Sequence, residues 1–152
     1  MLHIYVDADA CPVKEEVYRV AQRYGLEVTL VANSWMRTPN YHWLRLVVVK
    51  DDKLDAADDW IAEQAGEGDI VVTADIPLAS RCLKNGALVT GCTGREFRED
   101  TIGDALASRE LMSELRESGF QMGGPPPFQK KDRSRFLQKL DEMIQRVRRS
   151  QS

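Results

Sequence analysis

Short apolar runs alternate along the chain with longer stretches in which apolar residues recur every three or four positions. The run 2–6 ends abruptly at Asp7 and Asp9, as a buried strand does where it leaves the core. Val13, Val17, Val20, Ala21 and Tyr24 then fall on one helical face, with Pro12 suited to the first helical position and Gly25 to the stop. Residues 26–32, rich in β-branched side chains, form a second strand. Pro39 and Asn40 break regular structure over 33–42, and Trp35, Met36 and Tyr41 there read as cover for one edge of the core. Residues 45–49 are a third strand and 50–53 a charged turn. A helix over 54–65 carries the stripe Leu54, Ala57, Ile61 and Ala65.

The fourth strand, 69–74, ends at Asp75 and so repeats the strand-then-aspartate arrangement of the opening. Pro77 opens a helix through Leu78, Ala79, Cys82 and Leu83 that Gly86 closes, and 87–90 is a short fifth strand. The glycines of 91–94 predict a plain turn. Thr101 with Asp104 resembles a capping box for a helix through Leu106 and past Leu115. Residues 123–128, GGPPPF, form an extended Pro/Gly-rich connector. Beyond it a helix over about 131–149 places Phe136, Leu140, Met143 and Val147 on one face, so it docks on the body. Strands spaced by crossover helices predict an α/β fold, a central parallel sheet of about five strands with helices on both faces. Residues 1–152 are expected to form one domain.

Composition changes this picture in two places. The net charge of −3 hides a lopsided distribution, because eight Lys and Arg face three Asp and Glu between Pro125 and Ser152. An acidic body with a basic terminal helix suits a polyanionic partner. Three cysteines without a CxxC spacing argue against a disulfide framework, and two histidines against a His-rich zinc site. No apolar run approaches a membrane span and Met1 leads straight into a strand, so a cytoplasmic protein without a membrane partner is expected.

The candidate chemistry lies in the aspartates. One Asp after the first strand could merely cap the next helix, but two leave one unexplained. If strands one and four are neighbours, Asp7, Asp9 and Asp75 meet at the crevice where open α/β sheets bind ligands. Asp58 falls inside the apolar stripe of the helix entering strand four, and Asp55 lies on its border. Carboxylates gathered without histidine or thiolate suit a hard cation, Mg²⁺ or Mn²⁺.

The runs DADACPVK (7–14), VAN (31–33), DAAD (55–58), VTADIPLA (72–79) and GGPPPF with KDR and Phe136 (123–136) together resemble the YaiI/YqxD family of bacterial proteins, which is grouped with the PIN-like nucleases. The resemblance spans nearly the whole chain. It implies a three-layer PIN-like fold with an acidic metal-binding pocket. Carried over position by position, the acidic residues are Asp7, Asp9, Asp58 and Asp75, as catalytic groups and metal ligands, with Asp55 secondary. In one place the chain departs: Thr101-Ile102 stands where the family pattern has Asn-Ile.

Lys14, Lys131 and Arg133 are the basic residues expected near the pocket to contact phosphate, while Arg135 reads as ordinary surface. The leading expectation is a Mg²⁺- or Mn²⁺-dependent nuclease acting on RNA. A phosphohydrolase of haloacid-dehalogenase type, with Asp7 as nucleophile and Asp9 as general acid, is the competing chemistry. It lacks a later Lys followed by a paired-acid strand end. A non-catalytic RNA-binding module relying on the basic tail is the third reading.

Overall fold

In the computed structural model, residues 2–49, 56–103 and 128–151 are described. The chain runs through β1 (His3–Asp7), a 3₁₀ turn (Ala8–Ala10), α1 (Lys14–Tyr24), β2 (Glu27–Ala32) and β3 (Leu44–Val48). It continues through α2 (Ala56–Gln64), β4 (Ile70–Val72), α3 (Ile76–Lys84), β5 (Leu88–Thr90), β6 (Glu96–Phe97) and α4 (Lys130–Gln151). The strands form one six-stranded sheet in the order β3-β2-β1-β4-β5-β6. All neighbours pair in parallel except β5 and β6. This is the expected α/β architecture, with β1 and β4 adjacent.

Alternation along the central strands builds the layers. Ile4 and Val6 of β1, Val28 and Leu30 of β2, and Ile70 and Val72 of β4 join Val13, Val17 and Val20 of α1 and the apolar face of α4 in one cluster. Val31 and Val71 point the other way, into a second cluster with Ala57 and Ile61 of α2 and Leu78, Ala79 and Cys82 of α3. The period of two in each strand thus feeds both faces of the sheet. Burying both faces explains why the strands read as continuous apolar runs.

α4 docks as its spacing predicts. Phe136, Leu140, Met143, Ile144 and Val147 are all buried on one stripe. Polar ties fix its register: Tyr24 of α1 donates to Asp141, Arg133 donates to the Pro12 carbonyl at 2.8 Å and to Glu16 at 3.0 Å, and Arg146 grips Glu96 of β6 with both nitrogens, at 2.7 and 3.0 Å.

The sixth strand departs from the expectation of about five. The turn 91–94 is closed by Gly91 N–H to the Arg95 carbonyl at 2.9 Å, which folds 96–97 back onto β5 as a hairpin. Gly94 sits at φ +84°, and a Cβ there would come within 2.7 Å of the Arg135 backbone. Only glycine lets this turn touch α4.

Pro12 is a second correction. The 3₁₀ turn after β1 consumes the residues between strand and helix, so Val13 becomes the N-cap of α1 and Pro12 lies before it. β3 starts one residue earlier than expected, and β4 is confined to Ile70–Val72. The chain is already helical at 99–103, so Thr101 lies inside a turn instead of capping one. The charged turn 50–53, the continuation of that helix past 103 and all of the connector except Phe128 lie outside the described residues. Among the described residues no helix is long and apolar enough to cross a membrane.

A carboxylate crevice at the ends of β1 and β4

β1 has β2 on one side and β4 on the other. α1 packs on one face of the sheet and α2 on the opposite face. The winding therefore reverses at the β1–β4 pair, and a crevice opens beyond the carboxyl ends of these two strands. Asp7 is the last residue of β1. Thr73 follows β4 directly, and Asp75 is the N-cap of α3.

These groups are joined. The Thr73 hydroxyl donates to Asp7 Oδ2 at 2.9 Å, and Thr73 Oγ1 accepts the Asp75 backbone N–H at 3.0 Å. Asp75 Oδ1 in turn accepts from Leu78 N–H at 2.9 Å, capping α3. Asp9 Oδ2 accepts the N–H of Asn33, from the segment after β2, at 3.0 Å. Each carboxylate is thus oriented by a different part of the scaffold. Neither Asp7 nor Asp9 caps α1, whose N-cap has no side-chain hydrogen bond. Helix capping therefore does not account for the DxD pair.

Half-burial raises the pKa of Asp7; the Thr73 hydrogen bond opposes this, and the charges of Asp75 and Asp9 add to the rise. The spot is thus negatively charged and partly dehydrated, which favours a cation or a shared proton.

Asp58 is half-buried on α2, and its charge acts on Arg81 and Cys82 of α3, whereas the carboxylates acting on Asp7 are Asp75 and Asp9. Asp55 lies outside the described residues. Lys14 donates to the Ala8 carbonyl at 3.2 Å, bracing the 3₁₀ turn that carries Asp9. Arg133 is held by Pro12 and Glu16 and lies over the Phe128 ring, 5.0 Å from its centroid. Lys131 is exposed on the first turn of α4, at the sheet end where Arg133 reaches Pro12.

Thr73 and Asn33 lie inside the runs VTADIPLA (72–79) and VAN (31–33), but the sequence assigns neither a part in the site. Thr73 lies two residues before Asp75, and its place as a polar residue closing a buried run was the available signal. The expectation that Trp35, Met36 and Tyr41 cover the core holds for Met36, which is partly buried against the cluster under α1, while Tyr41 stays 41% exposed and stacks on Trp43 at 4.8 Å. It fails for Trp35, which is 73% exposed two residues beyond Asn33.

Cys11 and Cys92 also lie at this edge, with the Cys92 thiol donating to Cys11 at 3.9 Å. That contact makes Cys11 easier to ionise and Cys92 harder.

The donors at the crevice proper are hard carboxylate oxygens, which suit Mg²⁺ or Mn²⁺. Among the described residues no three His, Cys, Asp or Glu side chains already form a metal cage. Mg²⁺ keeps several of its waters and takes only one or two carboxylates, so it does not require such a cage.

The model of the family described as uncharacterized BCR, YaiI/YqxD family, matches residues 5–146. A UPF0178 protein of Nitrobacter winogradskyi is 54% identical over 149 residues, covering 98% of this chain and 94% of that protein. One of Paramagnetospirillum magneticum is 55% identical over 149 residues, 98% of each. One of Rhodospirillum centenum is 57% identical over 153 residues, 98% of this chain and 99% of its own. No solved structure matches.

Proposed function

The chain belongs to the YaiI/YqxD family, and from that premise we propose that it is a Mg²⁺- or Mn²⁺-dependent nuclease of the PIN-like kind, hydrolysing RNA at the crevice where β1 and β4 end. The observation that carries the proposal is the Asp7–Thr73–Asp75 linkage, which sets two carboxylates on adjacent strand ends at the point where the sheet reverses its winding. The raised pKa of Asp7 supports it, since a cation relieves the repulsion that causes part of the shift.

Asp7 and Asp75 would hold a divalent cation here, with Asp9 adding negative charge at the rim; the cation would supply positive charge against that building on the phosphoryl oxygens and would ease deprotonation of the attacking water. Thr73 favours the ionised form of Asp7 by donating to it. Lys131 attracts the phosphate backbone towards the crevice from the first turn of α4. RNA is the substrate that the family's PIN-like grouping implies, and the exposed Trp35 offers a face on which an unpaired base stacks.

The test is cleavage of an end-labelled single-stranded RNA with Mn²⁺. Wild-type protein should cut, chelator should stop it, and Asp7→Asn or Asp75→Asn should slow it by more than the ~10–100-fold that loss of an outer-shell partner costs. Cleavage that survives both variants would place the chemistry elsewhere. A beryllium fluoride adduct trapped on Asp7 would replace hydrolysis by aspartyl-phosphate chemistry.

A further inference from the structure

We propose that Cys11 and Cys92 form an oxidation site, a thiol pair that a peroxide converts to a disulfide across the carboxyl edge of the sheet. Their sulfurs lie 3.9 Å apart although 81 positions separate them in the chain. Both are free thiols. Neither lies inside a regular element: Cys11 follows the 3₁₀ turn and precedes α1, and Cys92 is in the turn between β5 and β6. A disulfide needs its sulfurs at about 2.05 Å. The remaining approach falls on two loop side chains and leaves the strand pairing untouched.

The bond would close over a small oxidant. Cys92 is half-buried and opens the pair to solvent, while Cys11 lies beneath it, 6% exposed. One sulfur, deprotonated, attacks a peroxide oxygen; the O–O bond breaks, hydroxide leaves, and a sulfenic acid forms. The second thiol attacks that sulfur; the S–S bond forms, the S–O bond breaks, and the departing hydroxide takes the released proton as water. Two thiols are oxidised by two electrons and one peroxide is reduced to two waters. Cys82 provides the internal contrast, since it is buried in the aliphatic cluster on the opposite face of the sheet.

The product would tie the segment carrying Asp9 to the β5–β6 turn. The site does not depend on metal binding or nuclease activity at the carboxylate crevice, and its test reads thiols alone.

Reduced full-length protein is treated with hydrogen peroxide in the presence of chelator, denatured, alkylated, and read by intact mass and peptide mapping. Wild type should lose two hydrogens, show a linked Cys11–Cys92 peptide, and leave Cys82 as its one alkylatable thiol; a reductant should restore all three. Cys82→Ser should still form the bond, while Cys92→Ser and Cys92→Ala should not. Three alkylatable thiols after treatment of wild type, stepwise over-oxidation of a single cysteine without the link, or a bond that includes Cys82 or a second molecule would each overturn the proposal.

Discussion

Thr73, one residue past the end of β4, donates its hydroxyl to Asp7 at the end of the neighbouring β1, 2.9 Å away. Thr73 is 1% exposed, so the bond is sheltered from water, and the same oxygen receives the Asp75 N–H. A single hydroxyl thus sets the position of one carboxylate and the backbone entry of another. It also acts against the half-burial that raises the Asp7 pKa.

Thr73→Val keeps the shape of the side chain and removes the donor. A hydrogen bond to a carboxylate favours its ionised form, so its loss should move the Asp7 pKa further up. The acid limb of the metal-dependent rate should shift to higher pH, and Thr73→Ser should leave it near the wild-type position. Unfolding in chelator should cost about 1–2 kcal/mol less for Thr73→Val than for wild type. An unmoved acid limb would show that this bond does not control the ionisation of Asp7.

Arg146→Ala tests the tie between α4 and the sheet edge. The Glu96 side chain is 8% exposed and is gripped by Arg146, with Lys139 at 3.6 Å. Burial pushes the Glu96 pKa up, but the Arg146 hydrogen bonds and the charges of Arg146 and Lys139 outweigh it and leave the pKa below its ordinary 4.5. A depressed carboxylate contributes stability above its unfolded pKa and loses it as pH falls through the folded value. The variant should therefore be less stable by about 1–3 kcal/mol near neutrality, less than for a fully buried pair because Arg146 is partly exposed and Lys139 remains beside Glu96, with the deficit shrinking in acid. Denaturant titrations at both pH values check this. A pH-independent deficit would assign the loss to packing.

Arg133 and Lys131 should separate cleanly. Arg133→Ala removes the partner of Glu16, whose other oxygen is buried without a hydrogen bond among the described residues. The variant should lose about 2–4 kcal/mol, because one charge is left buried and alone, with faster amide exchange along the first turns of α4. Lys131 is exposed, so Lys131→Ala should spare stability, weaken RNA binding, and reduce the salt slope by about 0.7 for one lost contact to a single strand. An RNA salt slope that changes with Arg133 but not with Lys131 would reverse these roles.

The order of elements was legible because the apolar runs have the length and spacing of crossover units; the adjacency of β1 and β4 was signalled only by two strands that each end in aspartate, since spacing does not set strand order. The buried face of α4 was legible because Phe136, Leu140, Met143 and Val147 repeat with helical period. Local geometry was less so. The 3₁₀ turn that displaces Pro12 from α1 leaves no hydrophobic period to read. β6 is only two residues long, and depends on Gly94 approaching a helix distant in sequence. In the site, Asp7 and Asp75 announce themselves as charges closing apolar strands. The apolar stripe of α2 gives the angle of Asp58 on its helix but not that α3, with Arg81 and Cys82, lies beside it. Thr73 and Asn33 act through hydrogen bonds to groups 66 and 24 positions away, a relation only the folded sheet creates.

Asp7→Asn bears most directly on the metal. The Asp7 pKa is raised from 3.8 in the folded protein, by partial burial first and by Asp75 and Asp9 after it. A carboxylate of this kind favours folding fully only below its unfolded pKa, and the benefit is lost as pH rises through the folded value. In chelator at neutral pH the wild type therefore carries an ionised group that the fold disfavours. Asn keeps the volume and can still accept from Thr73, so Asp7→Asn should melt at the same temperature as wild type or higher, and any gain should vanish below about pH 4. On the proposed function, Mn²⁺ should bind the folded crevice and not the unfolded chain, raising the wild-type melting temperature by the equivalent of about 2.7 kcal/mol at a hundredfold excess over its dissociation constant. It should leave the variant unchanged. A variant that loses several kcal/mol in chelator would make Asp7 a structural residue, and equal Mn²⁺ responses in the two proteins would remove the cation from this crevice.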